Sequence, residues 1–299
     1  MLITGGSGFL GGWIARLARG GWRVTATYLT NPIEDPAIDW RRLNVEDEAA
    51  VSALVEDVRP AAVIHTAALN PGQGSAFNAV NAVGTRNVAR AAGRVDAHLI
   101  HVSTDVLFDG EKGDYVEEDR PSPITPYGRS KALAEKAVRS SDVQAVIVRT
   151  SLIYGAAART KQASLRDTPW QDWDRQTRWV IGDLKAGKPV HLFKDEYRCP
   201  MWVERLAVAL LELAGSRYTG TLHVAGAQVL SRYQFGLRLA RFHSVDTDGI
   251  VPALSRQSGL TRPLDCTLDC SRARQLLRTP LPGVDQVLRL GGAEAGTPS

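Results

Sequence analysis

The segment LITGGSGFLGG at residues 2–12 constrains this chain more than any other. Leu2, Ile3 and Thr4 read as the end of a buried strand, and Gly5, Gly8 and Gly11 follow with the spacing G-x-x-G-x-x-G. An amphipathic run, Phe9, Leu10, Trp13, Ile14 and Leu17, comes next. The order is strand, glycine turn, helix. A glycine is wanted first for the sharp turn, second so that the backbone can approach a pyrophosphate, and third so that helix and strand pack closely. The helix N-terminus then offers free N–H groups and a partial positive charge to phosphates. Gly5, Ser7, Gly8, Phe9, Leu10 and Gly11 are therefore candidate cofactor contacts.

The spacing differs from the dinucleotide fingerprint of ordinary Rossmann dehydrogenases, which has one residue between its first two glycines. It resembles the short-chain dehydrogenase/reductase superfamily, and GFLG resembles its extended branch, which handles nucleotide sugars. The resemblance implies a Rossmann-type doubly wound parallel sheet with a smaller α/β substrate-binding C-terminal domain. The 299 residues suffice for that, divided as a cofactor domain at 1–155, a mainly substrate-binding region at 156–290 and a flexible tail at 291–299.

Charge points away from nucleic acid. The excess of 36 basic over 32 acidic residues is dispersed, with no basic stripe and interleaved aromatics. A slightly basic surface instead suits an anionic small molecule. No apolar run is long enough to span a bilayer, and Met1 leads straight into the first strand, so a cytoplasmic protein is expected. Cys199, Cys266 and Cys270 lack the companions of a zinc set and read as free buried thiols; no metal site is expected.

Residues 22–28 (WRVTATY) read as the second strand. An NAD-committed enzyme places an acid at its end to hold the adenosine ribose. Here Ala26 to Thr30 carry none, the first acid is Glu34, and the nearest cations are Arg41 and Arg42. NADP is the expected cofactor, with NAD also admitted. Residues 40–45 (WRRLNV) read as the third strand, with a helix following in EDEAAVSALVEDV. Asn44 and Val45 hold the places where the extended branch puts an adenine-contacting Asp and its apolar neighbour; Asn44 read alone serves equally as a turn residue. AAVIHTAAL (61–69) is the fourth strand, and Thr66, Ala67 and Ala68 keep its exit narrow beside a bound cofactor. FNAVNAVGTRNVARAAG reads as one long helix, in which Asn81 resembles the family's helix asparagine, whose bland role is to tie strand to helix. His65 and His101 read as packed core.

AHLIHVSTDVLFDG (97–110) is the fifth strand, with Ser103, Thr104 and Asp105 at its C-terminal end, where open parallel sheets bind ligands. Tyr127 and Lys131 follow on a helical stretch, and a separation of four puts them on one face. An ammonium beside a phenol favours its ionised form and is expected to bring the phenol pKa toward neutrality. Thr104, or less readily Ser103, would orient a substrate carbonyl, and Lys131 would also bond the nicotinamide ribose. Thr104, Tyr127 and Lys131 are the catalytic candidates.

VSTDVLFDG followed by EDRPSPITPYGRSKALAE resembles the dTDP-4-dehydrorhamnose reductase (RmlD-like) group, and VIVRTSLIYG, DEYRCPMWVERLA, GTLHVAG and RPLDCTLDCSRARQLL extend the resemblance over most of the chain. It implies hydride transfer between a nicotinamide and a keto carbon of a nucleotide sugar or related compound, with Tyr127 supplying the proton. Two departures touch substrate recognition: Leu152 replaces the group's Trp, and Asn70, Pro71, Gly72 and Gln73 replace its charged cluster. The Trp- and Arg-rich stretch 156–180 offers Trp170, Trp173 and Trp179 for stacking and Arg159, Arg166 and Arg175 for a diphosphate, or else a lid whose tryptophans pack on the body. Arg198 and Trp202 resemble pocket-lining positions; GTLHVAG and SRYQFGLRLARF are expected to complete the small second domain. Asp105, Leu152, Trp170, Arg198 and Trp202 are thus the substrate candidates. Two other readings stay open: an epimerase or dehydratase using Asp105, and a non-catalytic NADP-binding subunit like the regulator of methionine adenosyltransferase. A homodimer is compatible with the resemblance, and no residue selects it.

Overall fold

The structure is a computed structural model that describes residues 1–290 apart from 32, 34, 159–164 and 166. Glu34, Arg159, Arg166 and the tail therefore lie outside the described residues.

Strands β1 (Leu2–Thr4), β2 (Thr25–Tyr28), β3 (Asp39–Arg42), β4 (Ala62–His65), β5 (His98–Thr104), β6 (Ala145–Thr150) and β7 (Gly220–His223) form one parallel sheet in the order β7-β6-β5-β4-β1-β2-β3. The strand order reverses between β1 and β4, and in such sheets the crevice at the carboxyl ends there takes the ligand.

Alternation along the strands feeds two cores. Ile3, Ile64, Ile100, Val146 and Val148 point to the face covered by α1 (Phe9–Ala18) and α6 (Val203–Ala214), with Ile14, Leu206 and Leu210 opposite them. Leu2, Val63, Leu99 and Ile147 point to the other face, against Val51 and Val55 of α2 (Glu48–Val58), Val88 of α3 (Gly84–Arg94) and Val138 of α4 (Pro126–Arg139). A third cluster joins α5 (Arg175–Lys185), α7 (Arg232–Phe242) and the short ladder of Val190–Phe193 with Ile250–Ala253.

Several boundaries differ from expectation. β2 begins at Thr25 because Trp22 still closes the turn after α1, its N–H donating to the Ala18 carbonyl at 2.9 Å. β3 ends at Arg42, so Asn44 and Val45 lie beyond it. The expected long helix divides: a π-helical turn, Asn78–Val83, precedes α3. GTLHVAG is corrected more substantially. It does not belong to a small second unit but supplies β7, the edge of the main sheet beside β6. The helix of VERLAVALLELA likewise covers that sheet, since its apolar stripe matches the strands' inward residues.

Candidate active site

Gly5 has φ +73°, and a Cβ there would lie 2.7 Å from the Ala67 nitrogen; a Cβ on Gly11 would lie 2.1 Å from the Gly5 carbonyl oxygen. Both positions exclude any larger residue, one through φ and both through backbone contact. Gly8 is exposed and precedes α1, whose N-terminus no side chain caps. Ser7 donates through its backbone to Thr27 at 3.4 Å. Phe9 is half-buried and Leu10 buried, so Leu10 anchors the helix in the core. Across the crevice stand the half-buried Thr66, Ala67 and Ala68, with the Thr66 hydroxyl donating to the Thr4 carbonyl at 2.8 Å. The turn and the small-residue corner thus face one strand edge and fit a dinucleotide: a narrow backbone cradle with uncapped N–H groups.

The adenine-side candidates divide. Asn44 is exposed and its Oδ1 accepts from Glu46 N at 3.1 Å, the turn role. Val45 is buried against Gly84, where a Cβ would lie 2.6 Å from Val45 Cγ2. At the end of β2, Arg42 Nε donates to the Leu29 carbonyl at 3.2 Å, which places a cation where the acid is missing. Arg41 is spent on Asp39 at 2.7 Å and Asp57 at 3.6 Å.

Thr125 caps α4 by accepting from Gly128 N at 3.0 Å, and Pro126 sits in its first turn. Gly128 lets this helix start approach the segment after β5, because a Cβ there would lie 2.3 Å from the Val106 carbonyl oxygen. That approach brings Tyr127 beside Thr104, whose hydroxyl donates to Asp105 Oδ1 at 3.2 Å. The phenol also donates to Asn70 Oδ1 at 3.4 Å, and its ring meets Phe77 edge-on at 5.9 Å. Lys131 Nζ donates to the Val102 carbonyl at 2.7 Å. Burial pushes its pKa down to about 8, with Glu135 opposing. The expectation for Tyr127 is overturned: its pKa moves upward, driven by burial and then by the Asp105 charge, and the Thr104 hydroxyl only partly offsets them. The phenol is held protonated.

Asn81 plays its tying role from the π-turn, accepting from Leu69 N at 2.8 Å and donating to Ser130 Oγ at 3.0 Å. His65 is core: it bonds the Thr4 and Thr85 hydroxyls at 2.6 and 2.9 Å, stacks on His101 and is pushed down to about 3 by burial.

The substrate candidates fare less uniformly. Asp105 is buried, accepting from Ser151 Oγ at 2.6 Å and facing Arg198 Nε at 3.7 Å; burial raises its pKa against those partners. Arg198 is buried, and its guanidinium donates to the carbonyls of Tyr197, Leu264 and Pro263 at 2.6, 2.9 and 3.0 Å. Trp202 is buried too, packed between Tyr154 at 5.3 Å and Trp173 at 5.8 Å. Leu152 is half-buried on the same cluster, and Trp170 is half-buried against Gly182 of α5. Trp173 is core and Trp179 is exposed, so packing rather than stacking on a ligand accounts for the first two of these tryptophans. Arg175 folds over the 70–73 loop, donating to the Pro71 carbonyl at 2.8 Å. The Asn70 contact, Arg42's placement and the Asp105–Ser151 bond carried no local spacing signal and were missed.

Among the described residues no helix is long and apolar enough to cross a membrane, and no His, Cys, Asp and Glu group is arranged to hold a metal. The three cysteines are buried and free.

Comparison with known proteins places this geometry. The chain is 34% identical over 263 residues to dTDP-4-dehydrorhamnose reductase of Mycobacterium tuberculosis, covering 83% of this chain and 76% of that one. It is 27% identical to methionine adenosyltransferase 2 subunit beta of Xenopus laevis, over 93% and 84% of the two chains. A crystal structure of a hypothetical dTDP-4-dehydrorhamnose reductase from Sulfolobus tokodaii superposes with TM-score 0.79 at 32% identity, covering 95% of this chain and 97% of that one. The family described as the RmlD substrate binding domain matches residues 1–289, and the chain belongs to it.

Proposed function

We propose that the protein is an NAD(P)H-dependent reductase, an NAD(P)-dependent oxidoreductase that acts on the keto group of a nucleotide sugar of the 4-dehydrorhamnose kind. The observation that carries this reading is the convergence of Thr104, Tyr127 and Lys131 on the strand edge that also bears the glycine cradle. A bound dihydronicotinamide supplies the hydride. Tyr127 donates its proton to the carbonyl oxygen as the alkoxide develops, and Thr104 holds that oxygen. Lys131 sets its ammonium against the phenolate left behind, which solvent then reprotonates.

The deciding assay is oxidation of NADPH and NADH by the purified protein with dTDP-4-keto-6-deoxy sugars. A second reading, a non-catalytic NADP-binding subunit, draws on the similarity to the methionine adenosyltransferase subunit. It requires NADPH binding with no turnover on such sugars.

Cofactor choice falls to Arg42, whose guanidinium at the end of β2 suits a 2′-phosphate. Arg42→Ala is expected to raise KM for NADPH roughly tenfold, the loss of a charged hydrogen bond worth about 1.5 kcal/mol, and to leave KM for NADH unchanged. Equal losses with both cofactors would remove Arg42 from this role.

The Lys131 pKa near 8 also has a kinetic consequence. Its ammonium is complete at lower pH and fades as pH rises through that value, so log kcat/KM is expected to fall above it. A profile flat to about pH 10 would take Lys131 out of the proton-handling set.

A further inference from the structure

Beside the proposed site lies a cluster of charges that does not balance. Leu230–Ser231 pairs antiparallel with Tyr197–Arg198, and Arg232, the first residue of α7, donates its backbone N–H to the Glu196 carbonyl at 2.9 Å. Its half-buried side chain lies among Arg198, Glu196, Arg262 and Asp105. The other four are matched. Asp105 is held by Ser151, Thr104 and Arg198, and Arg198 by three backbone carbonyls as well. Glu196 is held by Arg262 and by Ser255 at 2.9 Å. The neighbouring Asp195 is engaged by the backbone N–H groups of Ser255 and Arg256.

Arg232 alone of the five has no side-chain hydrogen bond or ion pair among the described residues; three guanidinium groups thus meet two carboxylates. Burial and the Arg198 charge push its pKa down to about 10, which leaves it charged at neutral pH. A partly desolvated cation without a counter-charge is unfavourable on its own. The cluster continues to the reaction centre, because Asp105 joins Arg198 to the Thr104 hydroxyl.

We propose that Arg232 binds the diphosphate of the nucleotide-linked substrate, its guanidinium fork donating to phosphoryl oxygens. The inference rests on the nucleotide-sugar reading above and adds where the carrier's charge is held. Phosphate supplies the missing negative charge and matches the planar, two-pronged donor geometry that lysine lacks. Arg198, at the position resembling a pocket wall, gives three of its five donors to backbone carbonyls and turns Nε to Asp105, whereas Arg232 has its whole fork uncommitted among the described residues.

The test is calorimetric titration of the full-length protein, saturated with NADP⁺, with dTDP and with UDP. Wild type is expected to bind at least one of them. Arg232→Gln is expected to weaken that binding roughly 10- to 100-fold, with Arg232→Lys between the two. NADPH affinity and thermal midpoint serve as controls: removing an unmatched cation is expected to leave the midpoint unchanged or raise it, whereas a structural arginine would lower it. Equal affinity in wild type and Arg232→Gln overturns the assignment while leaving the nucleotide-sugar reading standing. A lowered midpoint with lost NADPH binding overturns it in favour of a structural role. A wild type that binds neither diphosphate overturns both.

Discussion

Tyr127→Phe is expected to lower kcat on a 4-keto-6-deoxy nucleotide sugar by about 10²- to 10⁴-fold, the range over which a positioned general acid acts. The substitution deletes one oxygen and keeps the ring, so the contact with Phe77 and the start of α4 persist. NADPH binding, read by fluorescence titration, is expected to stay close to wild type. Because burial and the Asp105 charge hold the phenol protonated, the loss should appear in the reductive direction across neutral pH. Turnover within roughly threefold of wild type would show that the proton comes from elsewhere.

Glu135→Ala is expected to remove about 3–5 kcal/mol of stability, read by urea unfolding, from a typical total of about 5–15. Glu135 and Arg149 are both buried, and the guanidinium meets the carboxylate through two bonds, Nε to Oε1 at 3.0 Å and Nη2 to Oε2 at 2.9 Å. Burial works to raise the Glu135 pKa, and the Arg149 bonds and charge outweigh it and hold the carboxyl below its ordinary range. The alanine leaves Arg149 in the interior without an anion, held by the Glu117 carbonyl at 3.3 Å, a 3.4 Å contact to His223 and the face of Phe108 at 5.2 Å. Replacing both partners, Glu135→Leu with Arg149→Met, should recover much of the loss, since the charge is then gone as well. A single variant that loses less than about 1 kcal/mol would mean that Arg149 finds another anion.

What could be read before the structure was what chain neighbours decide. The glycine turn, the hydroxyl at the end of β5 and the Tyr127–Lys131 pair each sit within one strand, turn or helix, where spacing fixes which side chains share an edge or a face. Other features depend on distant partners. Arg198 is engaged because the carbonyls of Pro263 and Leu264 fold back over it. Trp202 is core because Trp173 and Tyr154 arrive beside it. The Tyr127 pKa moves against the direction expected from the i, i+4 ammonium because burial, which spacing does not encode, is the larger influence. The π-turn at Asn78–Val83 left no compositional trace, since it widens one turn to aim Asn81 rather than changing the apolar pattern.

The placement of β7 and α6 bears on how such a molecule can be made and altered. The cofactor-side sheet borrows its outermost strand and one covering helix from chain that lies after the first segments of the substrate side. The edge of that sheet is therefore complete only once residues through His223 are in place. For the same reason, exchanging substrate specificity by grafting everything after residue 155 would replace part of the dinucleotide scaffold as well. Recombination between relatives is better tolerated in the loops after the strands than at a boundary between halves.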